Sequence, residues 1–224
     1  MDPHSPPRIR DVSFDEQHIV LHLDDGRTLN ELISRNIRVE KATPDERLGW
    51  VLTEDRCGVN WPALWAPSPD GMVSTWTILK DALYNHALGR LQQANWQLDA
   101  LPDTERDLVA LWRMEADINN GGFMQFLCNW GEETTRLAIV ALGKIGAPLM
   151  QAQLSGMWNV VAHYGDTDEV VSLGDLPGML TEIEWDQLTE LEESFWDYAE
   201  PLDRLVTRHF EGQVGPLSGP PTRG

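Results

Sequence analysis

The stretch EADINNGGFMQFLCNWGEE, residues 115–133, predicts where the second half of the chain passes from one helix to the next. The glycine pair at 121–122 stops the helix predicted for residues 107–118, because glycine adopts left-handed backbone freely after a helix. The apolar run FMQFLCNW, residues 123–130, predicts a short helix of its own. Gly131 then ends that helix and opens another.

Helices are also predicted on both sides of that stretch. Apolar residues at i, i+4 spacing, with proline and glycine as boundaries, predict helices over residues 75–101, 133–146 and 148–164. Pro102 breaks the first of these, and Pro148 suits the first turn of the last. The second half is therefore predicted to be an all-α domain of five or six helices.

An acidic stretch follows, from Ile145 to Asp203. It holds thirteen acids and neither lysine nor arginine. Its last third, TEIEWDQLTELEESFWDYAEPLD, has a helical period, and at 100° per residue two opposed stripes emerge. The acidic stripe consists of Glu182, Asp186, Glu190, Glu193, Asp197 and Glu200. The apolar stripe consists of Leu188, Leu191, Phe195, Tyr198 and Leu202.

The acidic stripe opposes helix stability. Like charges at i, i+4 destabilise a helix by about 0.2–0.5 kcal/mol per pair, and no basic residue is interleaved here. Successive i, i+4 carboxylates rise roughly 6 Å along a helix, a repeat comparable to that of phosphates along a DNA strand. The stripe therefore favours either imitation of a phosphate backbone or a solvated face that aids solubility.

The first part of the chain has the period of short strands. Residues 9–14 and 18–23 alternate apolar and polar side chains, and Asp25-Gly26 supplies a hairpin turn before residues 27–33 return as a partner strand. A helical or loop piece is predicted near Pro44–Trp50. Three prolines and Gly71 in NWPALWAPSPDGM exclude a long regular element there.

Composition limits the function classes. The chain of 224 residues carries a net charge of −19, with ten tryptophans and 42% hydrophobic residues, which is typical of a folded acidic protein. Direct binding of nucleic acid is excluded, because the phosphate backbone demands a basic footprint. Neither a signal peptide nor a membrane-spanning run is found, so we expect a cytoplasmic protein.

These observations predict an α+β chain. A small N-terminal β-meander domain, residues 1–75, precedes the all-α acidic domain, residues 76–212, and a Gly/Pro-rich tail, residues 213–224, is predicted to be disordered. Cys57 and Cys128 fit reduced thiols, with one long-range disulfide as the alternative.

The helical half resembles a known family. The residues that carry the resemblance are Glu115, Ile118 to Phe123, Gln125-Phe126 and Asn129, with LGKIGA at residues 142–147. They are similar to the signature of a bacterial DNA-mimic protein family first described in Neisseria. The resemblance covers roughly residues 80–212. It implies a mostly helical, strongly acidic fold, whose described member imitates duplex DNA and sequesters a transcription factor.

The N-terminal part has a resemblance of its own. Its DG hairpin and the segment Asn60-Trp61-Pro62 are similar to a small α+β domain of many uncharacterised bacterial proteins. That family often accompanies DNA-binding or toxin–antitoxin modules and implies no established activity.

The leading hypothesis is a non-enzymatic regulator that binds a basic DNA-binding protein and blocks its DNA site. The alternative is an immunity protein or antitoxin that neutralises a basic toxin such as a nuclease. A homodimer is left open. The candidate partner-binding residues are Asp166, Asp168, Glu169, Glu182, Asp186, Glu190, Glu193, Asp197 and Glu200.

Catalysis finds little support in the sequence. NNGGF lacks the lysine of a phosphate-binding loop, and its polar residues fit helix capping and packing better. Glu115 and Asp117 point in different directions on a helix. The fragment Asp166-x-Asp168-Glu169 is out of register with a calcium loop. No catalytic residue, metal or cofactor is therefore expected. Trp185 and Trp196 border the acidic stripe, where they either pack or anchor a partner.

Overall fold

The computed structural model describes residues 7–64, 72–166, 172–197 and 200–214. The chain forms two compact units, Met1–Ala82 and Leu83–Gly224. The first contains short strands and the second contains helices, which confirms the predicted α+β class. The predicted disordered tail lies largely outside the described residues.

The N-terminal unit is built on a three-stranded antiparallel sheet. Its strands are β1 (Ile9–Phe14), β2 (His18–Leu23) and β3 (Thr28–Leu32), in the order β1-β2-β3. The predicted meander is confirmed. The hairpin between β2 and β3 turns at Gly26, whose φ of +89° is the left-handed conformation that glycine tolerates.

A second small sheet completes this unit. Its strands β4 (Val51–Leu52), β5 (Gly58–Asn60) and β6 (Val73–Ser74) pair antiparallel in that order. Strands of two or three residues are too short to show alternation, so the sequence predicts only a turn and a loop here. Trp61 is buried in the core of the N-terminal unit, and its indole N–H donates to the Arg47 carbonyl at 2.8 Å.

Short helical elements connect the two sheets. They are α1 (Ile37–Lys41) and α2 (Pro44–Arg47). Thr43 caps α2, since its hydroxyl accepts the Glu46 N–H while the Glu46 carboxylate accepts the Thr43 N–H. The helical piece predicted near Pro44 is thus present as a single capped turn.

Helix α3 (Thr75–Gln93) ends earlier than the predicted span of 75–101. Asn95 and Trp96 both adopt left-handed backbone, with φ of 53° and 64°. The Trp96 N–H donates to the Leu91 carbonyl at 2.9 Å, which closes the helix end. Neither residue is a glycine, so the end is not marked in the sequence by the usual signal.

The two units divide within α3, between Ala82 and Leu83, whereas the predicted boundary near residue 75 is the start of that helix. Ile78 packs against the N-terminal core, and Leu83 belongs to the helical core.

Helix α4 (Asp103–Ile145) is a helical run broken at three glycines. Gly121 and Gly122 leave helical geometry, and so does Gly131, with φ of +81° at Gly122 and +74° at Gly131. The breaks divide α4 into three segments, residues 103–120, 123–130 and 132–145. Both breaks, at Gly121-Gly122 and at Gly131, lie where the sequence predicts them.

Four more helices complete the second unit as the structure describes it. They are α5 (Pro148–Val161), α6 (Leu176–Met179), α7 (Glu182–Asp197) and α8 (Leu202–Phe210). Their apolar residues join those of α3 and α4 in one core. Within the described ranges, no helix is long and apolar enough to cross a membrane.

Gly122→Ala is expected to lower the free energy of unfolding of the helical unit by about 1–3 kcal/mol, because an L-residue is strained at this φ. A Cβ there would also lie 2.7 Å from the Glu192 carboxylate. Denaturant unfolding followed by the far-UV helix signal measures the change.

Gly89→Ala is the matched control. Gly89 lies within α3, and a Cβ added there would have no other atom within 4 Å, so alanine should stabilise the helix by about 0.5–1 kcal/mol. An unfolding midpoint for Gly122→Ala at or above that of the wild type would contradict the expected strain.

Candidate functional site

The acidic helix α7 begins with a reciprocal cap. The Thr181 hydroxyl accepts the Glu184 N–H at 3.3 Å, and the Glu184 carboxylate accepts the Thr181 N–H at 2.8 Å. This arrangement satisfies two donors that a helix start otherwise leaves open. The cap fixes the start of α7 one residue after Thr181, at Glu182.

The apolar side of α7 is buried where the predicted stripe lies on the described helix. Of that stripe, Tyr198 lies outside the described residues and Leu202 lies on α8. Leu188 and Phe195 are almost fully buried, and Leu191 packs against the same core. The Gln153 side chain of α5 donates to the Ser194 carbonyl at 3.0 Å. Packing on α5 therefore holds α7 in place, which is how the fold tolerates a helix with repelling charges.

The opposite side of α7 exposes a row of carboxylates, which we call the acidic row. Its members are Glu182, Asp186, Glu190, Glu193 and Asp197, all exposed. Within the described residues none of them forms an ion pair. Fifteen residues separate the first from the last, a rise of about 22 Å at 1.5 Å per residue.

Glu200 does not belong to this row, which corrects the predicted stripe. Helix α7 ends at Asp197, and Pro201 precedes α8. The Glu200 carboxylate instead accepts the Met150 N–H at 3.0 Å and so caps the first turn of α5. The continuous helical period in the sequence extends across a break that Pro201 imposes.

Three other predicted residues lie beyond what the structure places. Asp168 and Glu169 lie outside the described residues, and so does the side chain of Asp166. The described carboxylates of the proposed partner-binding face are therefore those of the acidic row.

Glu192 is a carboxylate whose role was not predicted. Its Oε1 accepts the Phe123 N–H at 2.5 Å, at the start of the second segment of α4. Both its oxygens lie against Gly122, where a Cβ would be within 3 Å of them. A carboxylate at a helix N-terminus satisfies a free donor and the helix dipole together. The sequence does hold a signal for this role, because Glu192 falls outside the acidic stripe, on the side facing the core.

Glu184 is likewise held inside the fold. Besides its cap, it accepts a hydrogen bond from the Tyr164 hydroxyl at 2.9 Å and lies 3.3 Å from His163 Nε2. The Thr181 backbone N–H, then the Thr181 hydroxyl, lower the pKa of the Glu184 carboxyl below its ordinary value. Burial and the neighbouring Glu184 carboxylate raise the pKa of Tyr164.

The residues on both sides of the NNGGF turn contact one another. Asp117 accepts hydrogen bonds from the side chains of Gln125, Asn129 and Trp130, at 3.0, 3.0 and 2.5 Å. One carboxylate thereby ties the second segment of α4 to the first. These contacts are structural, since they hold two helical segments together.

Nearby acids and polar side chains follow the same pattern. Glu115 accepts the Tyr84 hydroxyl at 3.1 Å, and the Asn119 side chain donates to the Glu115 carbonyl at 2.6 Å. Among the described residues, no group of three or more His, Cys, Asp or Glu could hold a metal ion, and neither Cys57 nor Cys128 forms a disulfide.

Basic side chains of α4 are bound within the helical unit. Lys144 donates to Asp107 at 2.6 Å, and Arg136 donates to Glu132 at 2.6 Å. The Arg113 guanidinium lies 3.9 Å from the centre of the Trp130 ring. Burial lowers the pKa of Arg113 from its ordinary value. These cations neutralise charges of α4 rather than those of the acidic row.

Two tryptophans border the acidic row. Trp185 is 39% exposed and Trp196 is 44% exposed, and both lie on α7. Trp196 meets the buried Phe195 edge-on at 5.5 Å between ring centres. Both rings are therefore partly exposed, and that of Trp196 also packs on the buried Phe195.

Comparison with known families gives one match for each compact unit. The family model described as DMP19-like protein matches residues 99–213, more than half of the chain. A family model described as protein of unknown function (DUF2442) matches residues 9–72. Both resemblances seen in the sequence are thereby confirmed. Neither curated proteins nor solved structures gave a significant match.

Glu192→Ala is expected to lower the free energy of unfolding by about 1–3 kcal/mol, because the Phe123 N–H loses its partner in a half-buried site. Glu193→Ala, its exposed neighbour on the same helix, is the control and should change stability by less than about 0.5 kcal/mol. Equal unfolding midpoints for the two variants would show that the Glu192 contact does not support the fold.

Glu184→Gln is expected to destabilise the protein at neutral pH and to have less effect in acid. The pKa of Glu184 is lower in the folded protein than its ordinary value. Its charge therefore stabilises the fold fully above the unfolded pKa, and this stabilisation is lost as the pH falls through the folded pKa. Thermal unfolding of both proteins at pH 7 and near pH 3 measures this. A difference that stays the same at both pH values would contradict the assignment.

Proposed function

We propose that this chain, which belongs to the DMP19-like protein family, binds a basic DNA-binding protein by imitating DNA phosphates and blocks that protein's DNA site. The family match indicates a non-enzymatic DNA-mimic type. The observation that carries the proposal is the acidic row, five exposed carboxylates on one side of a helix held rigidly by its other side.

The spacing of the acidic row supports imitation of phosphates. Neighbouring carboxylates are three or four residues apart, which is a rise of about 4.5–6 Å. A DNA strand carries one charge per roughly 3.4 Å of axis, so the row has a charge density of the same order. A groove that holds a DNA strand presents basic side chains at a spacing that such a row can meet.

Rigidity gives the row an advantage over a flexible acidic tail. Leu188 and Phe195 anchor α7 in the core, the Glu184 cap fixes its start, and Glu192 holds it against the NNGGF turn. Charges held in place before binding lose little conformational entropy when a partner docks.

The charge balance supports a basic partner. The stretch Ile145–Asp203 contains no lysine or arginine, so no cation within it offsets the row. Such a field attracts a basic protein and accelerates its association, and it repels nucleic acid. Release of counterions from both surfaces would contribute to the affinity.

Reversal of three charges, Glu190→Lys with Glu193→Lys and Asp197→Lys, is expected to weaken partner binding at least about a hundredfold, because attraction becomes repulsion. The immobilised full chain would first capture DNA-binding proteins from a lysate of the source organism. Titration of one purified, identified protein then gives the affinity, and a gel shift shows whether its DNA is displaced.

The matched control is a second triple variant, Glu16→Lys with Glu40→Lys and Glu54→Lys. It changes the net charge by the same amount as the α7 variant does, through exposed acids of the N-terminal unit. The control should bind nearly as the wild type does. Binding should also fall steeply as salt rises. The proposal is lost if the captured protein binds DNA and this chain simultaneously, or if both triple variants weaken binding equally.

A further inference from the structure

We propose that α7 carries two arginine-binding units, Glu182 with Trp185 and Glu193 with Trp196, so that the partner is recognised through arginine rather than by charge alone. The inference rests on the proposed function and adds the chemistry of the partner. The motif Glu-x-x-Trp occurs twice on this helix, as EIEW at residues 182–185 and ESFW at residues 193–196.

Helical geometry brings each pair together. Residues at i and i+3 are neighbours on one side of a helix, with Cβ atoms about 5–6 Å apart. In each pair the glutamate is exposed and the tryptophan is partly exposed, at 39% for Trp185 and 44% for Trp196. Each unit therefore presents a carboxylate beside an open indole ring.

The two units face the same direction. They are separated by eleven residues, which is about three helical turns, so the second is rotated by only roughly 20° from the first. The distance between them along the helix is about 16 Å. A single extended partner surface could therefore reach both.

The protein holds one of its own arginines, Arg136, with the same pair of groups, and stacks a second, Arg113, on a tryptophan alone. Arg136 donates to the Glu132 carboxylate at 2.6 Å and lies 5.2 Å from the centre of the Trp158 ring. Arg113 lies over Trp130 at 3.9 Å. In the described part of the chain, neither Trp185 nor Trp196 has such a cation over its ring.

Arginine fits these units better than lysine does. The planar guanidinium stacks on an aromatic face and can bond a carboxylate through its edge at the same time, whereas the ammonium of lysine is a compact, strongly hydrated charge. Arginine is also a common contact to phosphates and to guanine in DNA-binding proteins. The matching partner thus presents two exposed arginines about 16 Å apart.

The test uses two alanine-based helical peptides, one with two arginines eleven residues apart and one with lysines at the same positions. Each is titrated into the full-length protein at low salt, and the backbone amide signals in NMR spectra report binding and its affinity in the wild type and in every variant. The variants are Trp185→Leu with Trp196→Leu, and Ile183→Ala as a control. Ile183 is an exposed apolar residue on the same helix.

The wild type is expected to bind the arginine peptide about fivefold more tightly than the lysine peptide. The double tryptophan variant should bind both peptides equally and retain salt-dependent binding, and Ile183→Ala should keep the preference for arginine. Equal affinities in the wild type, or a preference that survives in the double variant, would overturn the inference and leave charge-based binding intact. Failure of both peptides to bind would count against the proposed function as well.

Discussion

The hydrogen bond from the Phe123 N–H to the Glu192 carboxylate is the contact on which the arrangement of the helical unit depends. It joins the helix that carries the acidic row to the turn that breaks α4. Gly122 must be glycine there, both for its φ of +81° and because a Cβ would meet the carboxylate. The NNGGF turn and the acidic helix are thus joined directly, and this contact together with the burial of Leu188 and Phe195 turns the acidic row toward solvent.

The acids of α7 divide into two groups that do different things. Glu184 and Glu192 turn inward and satisfy backbone donors, and the five members of the acidic row turn outward. The inward acids and the buried apolar residues supply the stability that the repelling row lacks. A surface that would destabilise an isolated helix can in this way be displayed by a folded one.

Much of the fold is predictable because glycine and proline mark it. The breaks at Gly121, Gly122 and Gly131, the hairpin at Gly26 and the apolar face of α7 follow from local sequence. The features that were not predicted lack a local signal in the sequence. Glu200 lies in a helical period but caps α5, and α3 ends at two left-handed residues that are not glycine. The second sheet has strands too short for any pattern.

We propose that the acidic row occupies the place of DNA phosphates on a basic protein. A structure of the complex with an identified DNA-binding partner, superposed on that partner bound to DNA, tests this most directly. We expect the carboxylates of Glu190, Glu193 and Asp197 to contact the basic side chains that otherwise contact consecutive phosphates. A partner bound through another face, with its DNA groove left open, would contradict it.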